Sequence, residues 1–408
     1  MNFGLALTLL LLCMIPGGFL IGTLACYGYA SIASMIPVIK VLFLVICVFF
    51  AISHSKNIAP TKLFGYFLLF YIVYYTYVFY YILINPEMPR DAMADVPSSN
   101  SVLYRDFVIQ TLAVLIVGLY RKYINFTFFA KATVIIVAVL FFFYYPKVGY
   151  TTYGIEDAAD ASDLLEEQFI VSFRLARFFA IAFLCCLACK SSWFKTEKFN
   201  AILTYITATI LLAGIVLTVK RGPILSMLIA SLFYYLFKNK SAHTIRTMII
   251  WGLALLLFGN YLAGFFENYM GGLVERVDVT IEDGGTGRFG SSTSVFATAQ
   301  EQIEGGLFFG TYFRMISRFW YGTYPHNFIL EMLMTFGIVF TSVFVPLFWK
   351  VIKRTTIIIQ SGGVQALSAI CFIYMFCASM TSGSVFLNTE FWIFLSMVCS
   401  YQIKKQII

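Results

Sequence analysis

Charged residues are scarce in this sequence, and their scarcity argues against a soluble fold. Asp, Glu, Lys and Arg make up 12% of the 408 residues, about half of the roughly 25% that is average for soluble domains. Apolar residues account for 60% and aromatic residues for 18%, and the mean hydropathy is +0.85. Apolar runs of about 20 residues, the length of helix that crosses the hydrocarbon core, recur along nearly the whole chain. The sequence therefore predicts an integral membrane protein.

The sequence also lacks the marks of a cleaved signal peptide, of a disulfide framework and of a metal site. The N-terminus, "MNFGLALTLLLLCMIPGGFLIG", has no basic residue before its apolar run, so it predicts a first membrane helix and not a cleaved signal peptide. The nine cysteines lie within or at the edges of apolar segments, which argues against a disulfide framework. The "CCLAC" motif at 185–189 has no His or acidic neighbour, so buried small side chains are favoured over a metal site. The chain also contains no Asp-x-Asp metal motif.

The apolar runs predict an all-α fold, a polytopic membrane helical bundle with about twelve transmembrane helices. Continuous runs favour helices over a β-barrel, whose strands would alternate apolar and polar residues. The predicted spans are 4–25, 34–53, 63–84, 103–120, 126–145, 175–193, 200–219, 223–237, 247–266, 326–349, 366–386 and 390–403. Residues 1–408 are expected to form a single integral membrane domain. A large outer loop, 267–325, lies within it between spans nine and ten.

The distribution of basic residues predicts the orientation of these spans. With a cytoplasmic N-terminus, the stretches that face inward are 53–62, 121–125, 190–199, 237–247, 350–356 and the C-terminal tail. They hold fifteen of the 28 basic residues but a single one of the 20 acids, Glu197. The opposite orientation would reverse this bias, so both termini are predicted to be cytoplasmic.

The basic residues on the outer side or within the membrane are mostly arginines, which bind phosphate through two parallel hydrogen bonds. In "VLTVKRGPILSMLIA" (216–230), Lys220 and Arg221 stand at an outer turn just before a predicted helix. The N-terminus of a helix favours an anion, so this pair predicts an anion-binding site. Contact with lipid headgroups is the alternative interpretation.

Five of the other arginines at this outer location are candidate site residues. Arg174 and Arg177 are neighbours on one helical face, and either substrate binding or ion pairs with the preceding acidic run explain them. Arg288 lies in the Gly/Ser-rich loop "GGTGRFGSS". Arg314 and Arg318 lie on one helical face if their segment is helical. They would then either contact a ligand or anchor the chain at the membrane interface. Together the basic residues predict an outer rim that suits a lipid-linked diphosphate.

His326 stands at the same outer level in "TYPHNFILEMLMTFGIVF" (323–340). A helix N-terminus disfavours imidazolium, so His326 should be neutral near pH 7 and able to accept a proton. A structural role is the alternative. His54 and His243 fall instead in lysine-rich loops that are predicted to be cytoplasmic. Glu331 lies roughly 140° round the helix from His326, so it is expected to pair elsewhere in the bundle.

These motifs resemble those of the O-antigen polymerase (Wzy-type) and O-antigen ligase superfamily of bacterial inner-membrane glycosyltransferases. "HNFILEMLMTFGIV" is similar to the family's His-Asn/Ser/Gln, nine residues, Gly pattern, which His326, Asn327 and Gly337 match. "VKRGPILSMLIA" is similar to its Ser-Arg-Gly turn, with Lys220 in place of Ser. "TGRFGSSTSVFATAQEQIEGGLFFG" resembles the stretch before the large outer loop's helix, with Arg288 in the Arg position.

The resemblance covers about residues 170–345. It implies metal-independent glycosyl transfer from an undecaprenyl-diphosphate-linked glycan at the periplasmic face of the inner membrane, with no cofactor. His326 would act as the general base, and Arg221 and Arg288 would stabilise the leaving diphosphate. The residues assigned to substrate binding are Arg174, Arg177, Lys220, Asn327, Arg314 and Arg318.

Three functions remain open at this point. A polymerase joins one lipid-linked repeat unit to another, whereas a ligase transfers the glycan to lipid A-core. Lys220 and Phe340 depart from the ligase pattern and favour the polymerase. A lipid-linked glycan transporter is less expected, because its path should be lined with polar groups at mid-membrane depth. The expected partners are undecaprenyl-diphosphate-linked glycans, the lipid bilayer and a polysaccharide chain-length regulator, with no nucleic acid.

Overall fold

A computed structural model describes residues 2–15, 30–54, 60–84, 100–153, 162–189, 197–217, 221–238, 308–310, 327–380 and 388–403. Within these ranges the chain is helical and contains no β-strand. The described α-helices are α1 (Phe3–Met14), α2 (Ala30–Ser53), α3 (Lys62–Ile84), α4 (Asn100–Leu119), α5 (Phe126–Tyr153), α6 (Ser162–Cys189), α7 (Glu197–Leu217), α8 (Arg221–Lys238), α9 (Phe328–Ser361), α10 (Ala366–Ser379) and α11 (Thr389–Ser400). A short 3-10 helix, Arg121–Tyr123, follows α4. The predicted all-α fold is confirmed for the described residues.

The described helices follow the predicted spans closely. Each predicted span overlaps a described helix except the ninth, 247–266, which lies outside the described residues. The largest difference is in α6, which begins at Ser162 and not near the predicted residue 175. The residue types at 163 and 166, Asp and Glu, are compatible with this extension, because acidic residues are favoured in the first turns of a helix. Both residues belong to α6 and not to the preceding loop.

Two described stretches are long and apolar enough to cross a membrane. They are Met35–Ser53 in α2 and Thr335–Ser361 in α9. The buried share of the most apolar part of each stretch is 11% and 28% respectively. The core helix of a soluble protein would bury most of such a surface, whereas Phe49 of α2 is 70% exposed. Large exposed apolar faces of this kind mark surfaces that contact lipid or a partner.

The chain divides into two compact units. Unit one draws its residues from Met1–Phe43, Ile124–Glu282 and Thr356–Tyr374. Unit two draws its residues from Leu44–Tyr123, Asp283–Thr355 and Met375–Ile408. The single membrane domain expected for residues 1–408 stays a prediction.

Unit one is built around α6, which packs against α5, α7 and α8. Small side chains such as Ala176 and Ala180, both fully buried, allow neighbouring helices to approach closely. Gly214 of α7 serves the same purpose, since a Cβ there would lie 2.8 Å from the Phe179 ring. The three cysteines of the "CCLAC" motif are buried free thiols, which agrees with the interpretation of them as small core side chains.

Unit two packs α11 against α3 and α4 around Trp392, which is fully buried. The rings of Tyr71 and Tyr74 lie 5.1 and 5.3 Å from it, and the ring of Phe391 lies 5.2 Å away. Phe67, Tyr71 and Tyr74 recur at the three- and four-residue spacing that places them on one face of α3. Ring packing of this kind contributes about 0.5–1.5 kcal/mol per pair beyond the burial of area. This aromatic core holds the polar groups described next.

Candidate functional site

The structure describes part of the predicted site. The predicted site residues that lie outside the described ranges are Lys220, Arg288, Arg314, Arg318 and His326. The backbones of Arg174 and Arg221 are placed on helices, but their side chains are outside the description. Arg177 and Asn327 are described in full.

Arg221 is the first residue of α8, so the Arg-Gly turn leads directly into a helix as predicted. The helix begins two residues before the predicted span, and Pro223 falls in its first turn. There the N–H that proline lacks would have no partner within the helix. The free N–H groups and the positive end of the helix dipole at this position favour an anion.

Arg177 lies inside unit one and not at the entrance to a helix. It is the sixteenth residue of α6 and is 9% exposed. Because α6 begins at Ser162, both Arg177 and Arg174 sit more than three turns from its N-terminus. Their location on the outer side of the membrane stays a prediction. The choice between them as the functional arginine stays open.

Asn327 caps the N-terminus of α9. Its side-chain Oδ1 accepts hydrogen bonds from the backbone N–H groups of Ile329 and Leu330, at 3.0 and 3.2 Å. Its backbone carbonyl accepts from the N–H of Glu331 at 2.9 Å. Asparagine is among the best residues at this position because its oxygen satisfies N–H groups that lack helical partners. The Asn that follows His326 therefore fixes the beginning of the helix. This capping role was not predicted from the sequence, and the predicted role in substrate binding stays a prediction.

A break interrupts α9 at Gly337, the glycine of the His-Asn motif. Its backbone adopts φ 65° and ψ −170°. This conformation is not helical, and its positive φ favours glycine. The hydroxyl of Thr341 donates to the carbonyl of Met332 across the break, at 3.1 Å. We call residues Phe328–Phe336 the half-helix. Its two ends are the Asn327 cap and the Gly337 break, which are the Asn and the Gly of the "HNFILEMLMTFGIV" motif.

A three-residue segment of the large loop, Phe308–Gly310, packs against this break. The carbonyl of Phe308 accepts a hydrogen bond from the N–H of Val339 at 3.3 Å. The carbonyl of Phe309 accepts from the hydroxyl of Tyr77 in α3 at 2.8 Å. Nothing in the sequence had pointed to this contact, because the segment is joined to α9 only through space.

Glu331 lies within the half-helix and is 2% exposed. The hydroxyl of Tyr74 donates to its Oε1 at 3.4 Å, and the hydroxyl of Thr335 donates to its backbone carbonyl. The expectation that this acid pairs with another part of the bundle is confirmed, and the partner is α3. A buried carboxyl group is costly without such partners.

A second polar network, which sequence reasoning missed, surrounds Gln110 of α4. Its Nε2 donates to the hydroxyls of Tyr71, at 3.1 Å, and Tyr75. Its Oε1 accepts from the hydroxyl of Thr389, at 2.7 Å. The network connects α3, α4 and α11, and the ring of Tyr75 lies 5.2 Å from that of Tyr74, the partner of Glu331. The only sequence signal was the recurrence of tyrosine on one face of α3.

Basic side chains collect where α11 ends in unit two. Arg354 of α9 donates hydrogen bonds to the carbonyls of Cys399 and Tyr401, and the hydroxyl of Thr61 also donates to Cys399. The guanidinium of Arg121 lies 4.6 Å from the centre of the Tyr401 ring. Burial lowers the pKa of Arg121 to about 10, against a smaller opposing effect of Tyr401.

Three lysines lie over aromatic rings near these arginines in sequence. The pairs are Lys122 with Tyr123 at 5.0 Å, Lys350 with Tyr66 at 5.3 Å and Lys353 with Trp349 at 5.2 Å. Described residues from three stretches that are all predicted to face the cytoplasm thus contribute to one part of unit two. We call it the basic end, with the residues Arg121, Lys122, Lys350, Lys353 and Arg354.

No protein-family model, curated protein or solved structure matches this chain. Among the described residues, no three His, Cys, Asp or Glu side chains are grouped so that they could hold a metal ion.

Proposed function

We propose that this protein is an O-antigen (surface polysaccharide) polymerase. It joins undecaprenyl-diphosphate-linked oligosaccharide repeat units by metal-independent glycosyl transfer at the periplasmic face of the bacterial inner membrane. About twelve helices cross the membrane, with both termini in the cytoplasm.

The observation that carries this proposal is the physical meaning of the motif spacing in α9. Asn327 accepts the first N–H groups of the half-helix, and Gly337 ends it with a left-handed φ of 65°. The nine intervening residues are thus the length of one helical segment with fixed ends. His326 directly precedes the cap. A spacing that defines a structural element is better support for the resemblance than matching letters alone.

The chemistry of the reaction suits the residues that the motifs supply. The hydroxyl oxygen of the acceptor sugar attacks C1 of the donor sugar, and the C1–O bond to the diphosphate breaks. His326 takes the hydroxyl proton, and the lipid diphosphate leaves with the electron pair. Arg221 at the N-terminus of α8, together with Arg288 and Arg174 or Arg177, stabilises the negative charge that grows on the diphosphate.

The described surfaces are compatible with a membrane location. The apolar helical stretches Met35–Ser53 and Thr335–Ser361 leave most of their side chains uncovered. The basic end pairs exposed lysines with exposed aromatic rings such as Tyr66 and Trp349. Aromatic and basic side chains are enriched together where a helix leaves the bilayer, and basic ones on its cytoplasmic side.

A reconstitution assay tests the proposed function. The purified protein, in lipid nanodiscs, is incubated with undecaprenyl-diphosphate-linked repeat units alone, and the products are separated by size. A ladder of chains that differ by one repeat unit is expected. Products that form only after lipid A-core is added would identify a ligase instead. No product under either condition would contradict glycosyl transfer.

A further inference from the structure

Two glycines with left-handed backbones face each other where the loop segment Phe308–Gly310 meets α9. Gly310 has φ +76°, and a Cβ added to it would lie 2.2 Å from the carbonyl oxygen of Thr335. Gly337 has φ +65°, and a Cβ there would lie 2.4 Å from the carbonyl carbon of Phe308. We call these two residues the glycine pair. Gly310 leaves room for the α9 backbone just before Gly337, and Gly337 leaves room for the loop backbone just before Gly310, so the fit is reciprocal.

The contact is backbone against backbone, which makes it sensitive to a single methyl group. A side chain could turn away from an added Cβ, but a carbonyl group in a helix cannot do so without moving the helix. Two hydrogen bonds also hold the segment, from the Val339 N–H to Phe308 and from the Tyr77 hydroxyl to Phe309. The Tyr77 ring lies 5.2 Å from that of Phe336, the last residue of the half-helix. Tyr77 therefore joins α3, the loop segment and the half-helix.

We propose that the docked segment Phe308–Gly310 positions the half-helix, so that Gly310, Gly337 and Tyr77 are positioning residues for the reaction at its N-terminal end. The docked segment is thereby coupled to the half-helix, which directly follows the sequence position of His326, the proposed proton acceptor. This inference rests on the proposed function for its effect on catalysis, but the docking itself is measurable without activity.

A crosslink measures the docking. Cysteines are placed at Phe308 and Val339, whose backbones share a hydrogen bond of 3.3 Å, in a chain with a protease site inserted between residues 311 and 326. After mild oxidation and cleavage, the two fragments should remain joined until a reductant is added. The matched control places cysteines at Phe308 and Val345, six residues further along α9, and should not crosslink. Failure of the first pair to crosslink would overturn the docking.

Glycine-to-alanine variants measure the positioning, and the chain supplies their controls. Gly362 and Gly363 have φ of +72° and +66°, nearly the same as the glycine pair, but a Cβ at either would meet nothing within 4 Å. Gly362→Ala thus matches Gly310→Ala in the sign and size of φ but lacks its collision. Gly363→Ala matches Gly337→Ala in φ in the same way.

Per folded molecule, Gly310→Ala and Gly337→Ala should lose the crosslink and lower kcat for chain extension about 100-fold, as displaced catalytic groups do. KM for the lipid-linked donor should change little, because neither glycine is among the residues assigned to bind the diphosphate. Both controls should keep the crosslink and the wild-type kcat. A fall in protein yield with kcat unchanged would show a merely structural role and overturn the positioning.

Tyr77→Phe provides a second test of the docking and positioning if the alanine variants do not accumulate as folded protein. It removes the hydroxyl that bonds to Phe309 and leaves the ring on Phe336, so a smaller fall in kcat and a weaker crosslink are expected. An unchanged kcat and crosslink would contradict the role of Tyr77. If the wild-type protein crosslinks but makes no polysaccharide, the proposed function fails while the docking stands.

Discussion

The two ends of α9 are held in different ways. At its N-terminal end, the half-helix is fixed by a cap on its backbone N–H groups, by the backbone contacts of the glycine pair and by the buried Glu331. At its C-terminal half, the basic end is held by side chains, with Arg354 bonded to the carbonyls at the end of α11. The first arrangement has little freedom, whereas the second can be rebuilt by other long side chains.

This difference indicates where substitutions should affect the reaction rate. Catalytic groups must be held to within fractions of an ångström, and contacts with the rigid backbone supply that better than exposed lysines do. We therefore expect substitutions at the half-helix to change the rate of reaction. Substitutions at the basic end should change stability or membrane orientation, with the rate per folded molecule unaffected.

The two histidines nearest these ends give the largest expected contrast. His326→Ala should lower the rate of chain extension about 10²–10⁴-fold, because the general base is lost. His54→Ala should leave the rate unchanged, since His54 packs on the ring of Tyr123, 5.9 Å away, beside the basic end. Ladder formation by each purified variant is the measurement. Normal extension by His326→Ala would remove this residue from the mechanism.

Arg221 tests the anion site at the N-terminus of α8. Arg221→Lys should be strongly impaired in chain extension, because an ammonium group cannot form the paired hydrogen bonds of a guanidinium with phosphate. Lys238→Arg, at the other end of the same helix, is the matched control and should act as the wild type does. An Arg221→Lys variant with the wild-type rate would show that charge alone is sufficient there.

The buried acid of the half-helix should affect stability more than any single residue of the basic end. Glu331→Ala leaves the Tyr74 hydroxyl without this acceptor, and we expect the free energy of unfolding to fall by about 1–3 kcal/mol. Glu331→Gln retains an oxygen that can accept from Tyr74, so its loss should be smaller. Denaturant unfolding in mixed micelles measures both. Equal stability of all three proteins would show that the pair contributes nothing.

At the basic end, Arg354→Met should lower the free energy of unfolding by about 1 kcal/mol, because the carbonyls of Cys399 and Tyr401 lose a charged donor. Lys353→Met, next to it on the helix surface, should change stability by no more than about 0.5 kcal/mol. The same unfolding measurement applies. A fall in kcat of folded Arg354→Met would contradict the division of roles between the two ends.

Metal removal should have the smallest effect. The proposed chemistry uses arginines for the charge of the diphosphate, so excess EDTA should leave the rate of chain extension unchanged. The rate is measured before and after chelation, with added Mg²⁺ as the control. Strong inhibition that Mg²⁺ reverses would point to a bound cation and to the acidic run at 156–167.

The sequence predicted the helices well because long apolar runs have few structural alternatives. Its error at α6 arose because acidic residues suit both a loop and the first turns of a helix. At the site, the sequence pointed to Gly337 and to a separate partner for Glu331, but it could not show that Phe308–Gly310 docks beside Gly337. When two distant backbone segments pack closely, the only sign in the sequence is a glycine, and glycines occur for many other reasons. The hydrogen bonds of Gln110 join side chains that are far apart in the sequence, so no local pattern predicts them.

The proposal that the two ends of α9 lie on opposite sides of the membrane can be tested most directly by cysteine labelling in intact cells. Ile329→Cys in the half-helix and Lys353→Cys in the basic end are each treated with a membrane-impermeant maleimide before and after permeabilisation of the inner membrane. Both positions are exposed in the structure. The account predicts that residue 329 reacts from the periplasmic side and that residue 353 reacts only after permeabilisation. Labelling of residue 353 from outside, with residue 329 protected, would contradict a periplasmic active site.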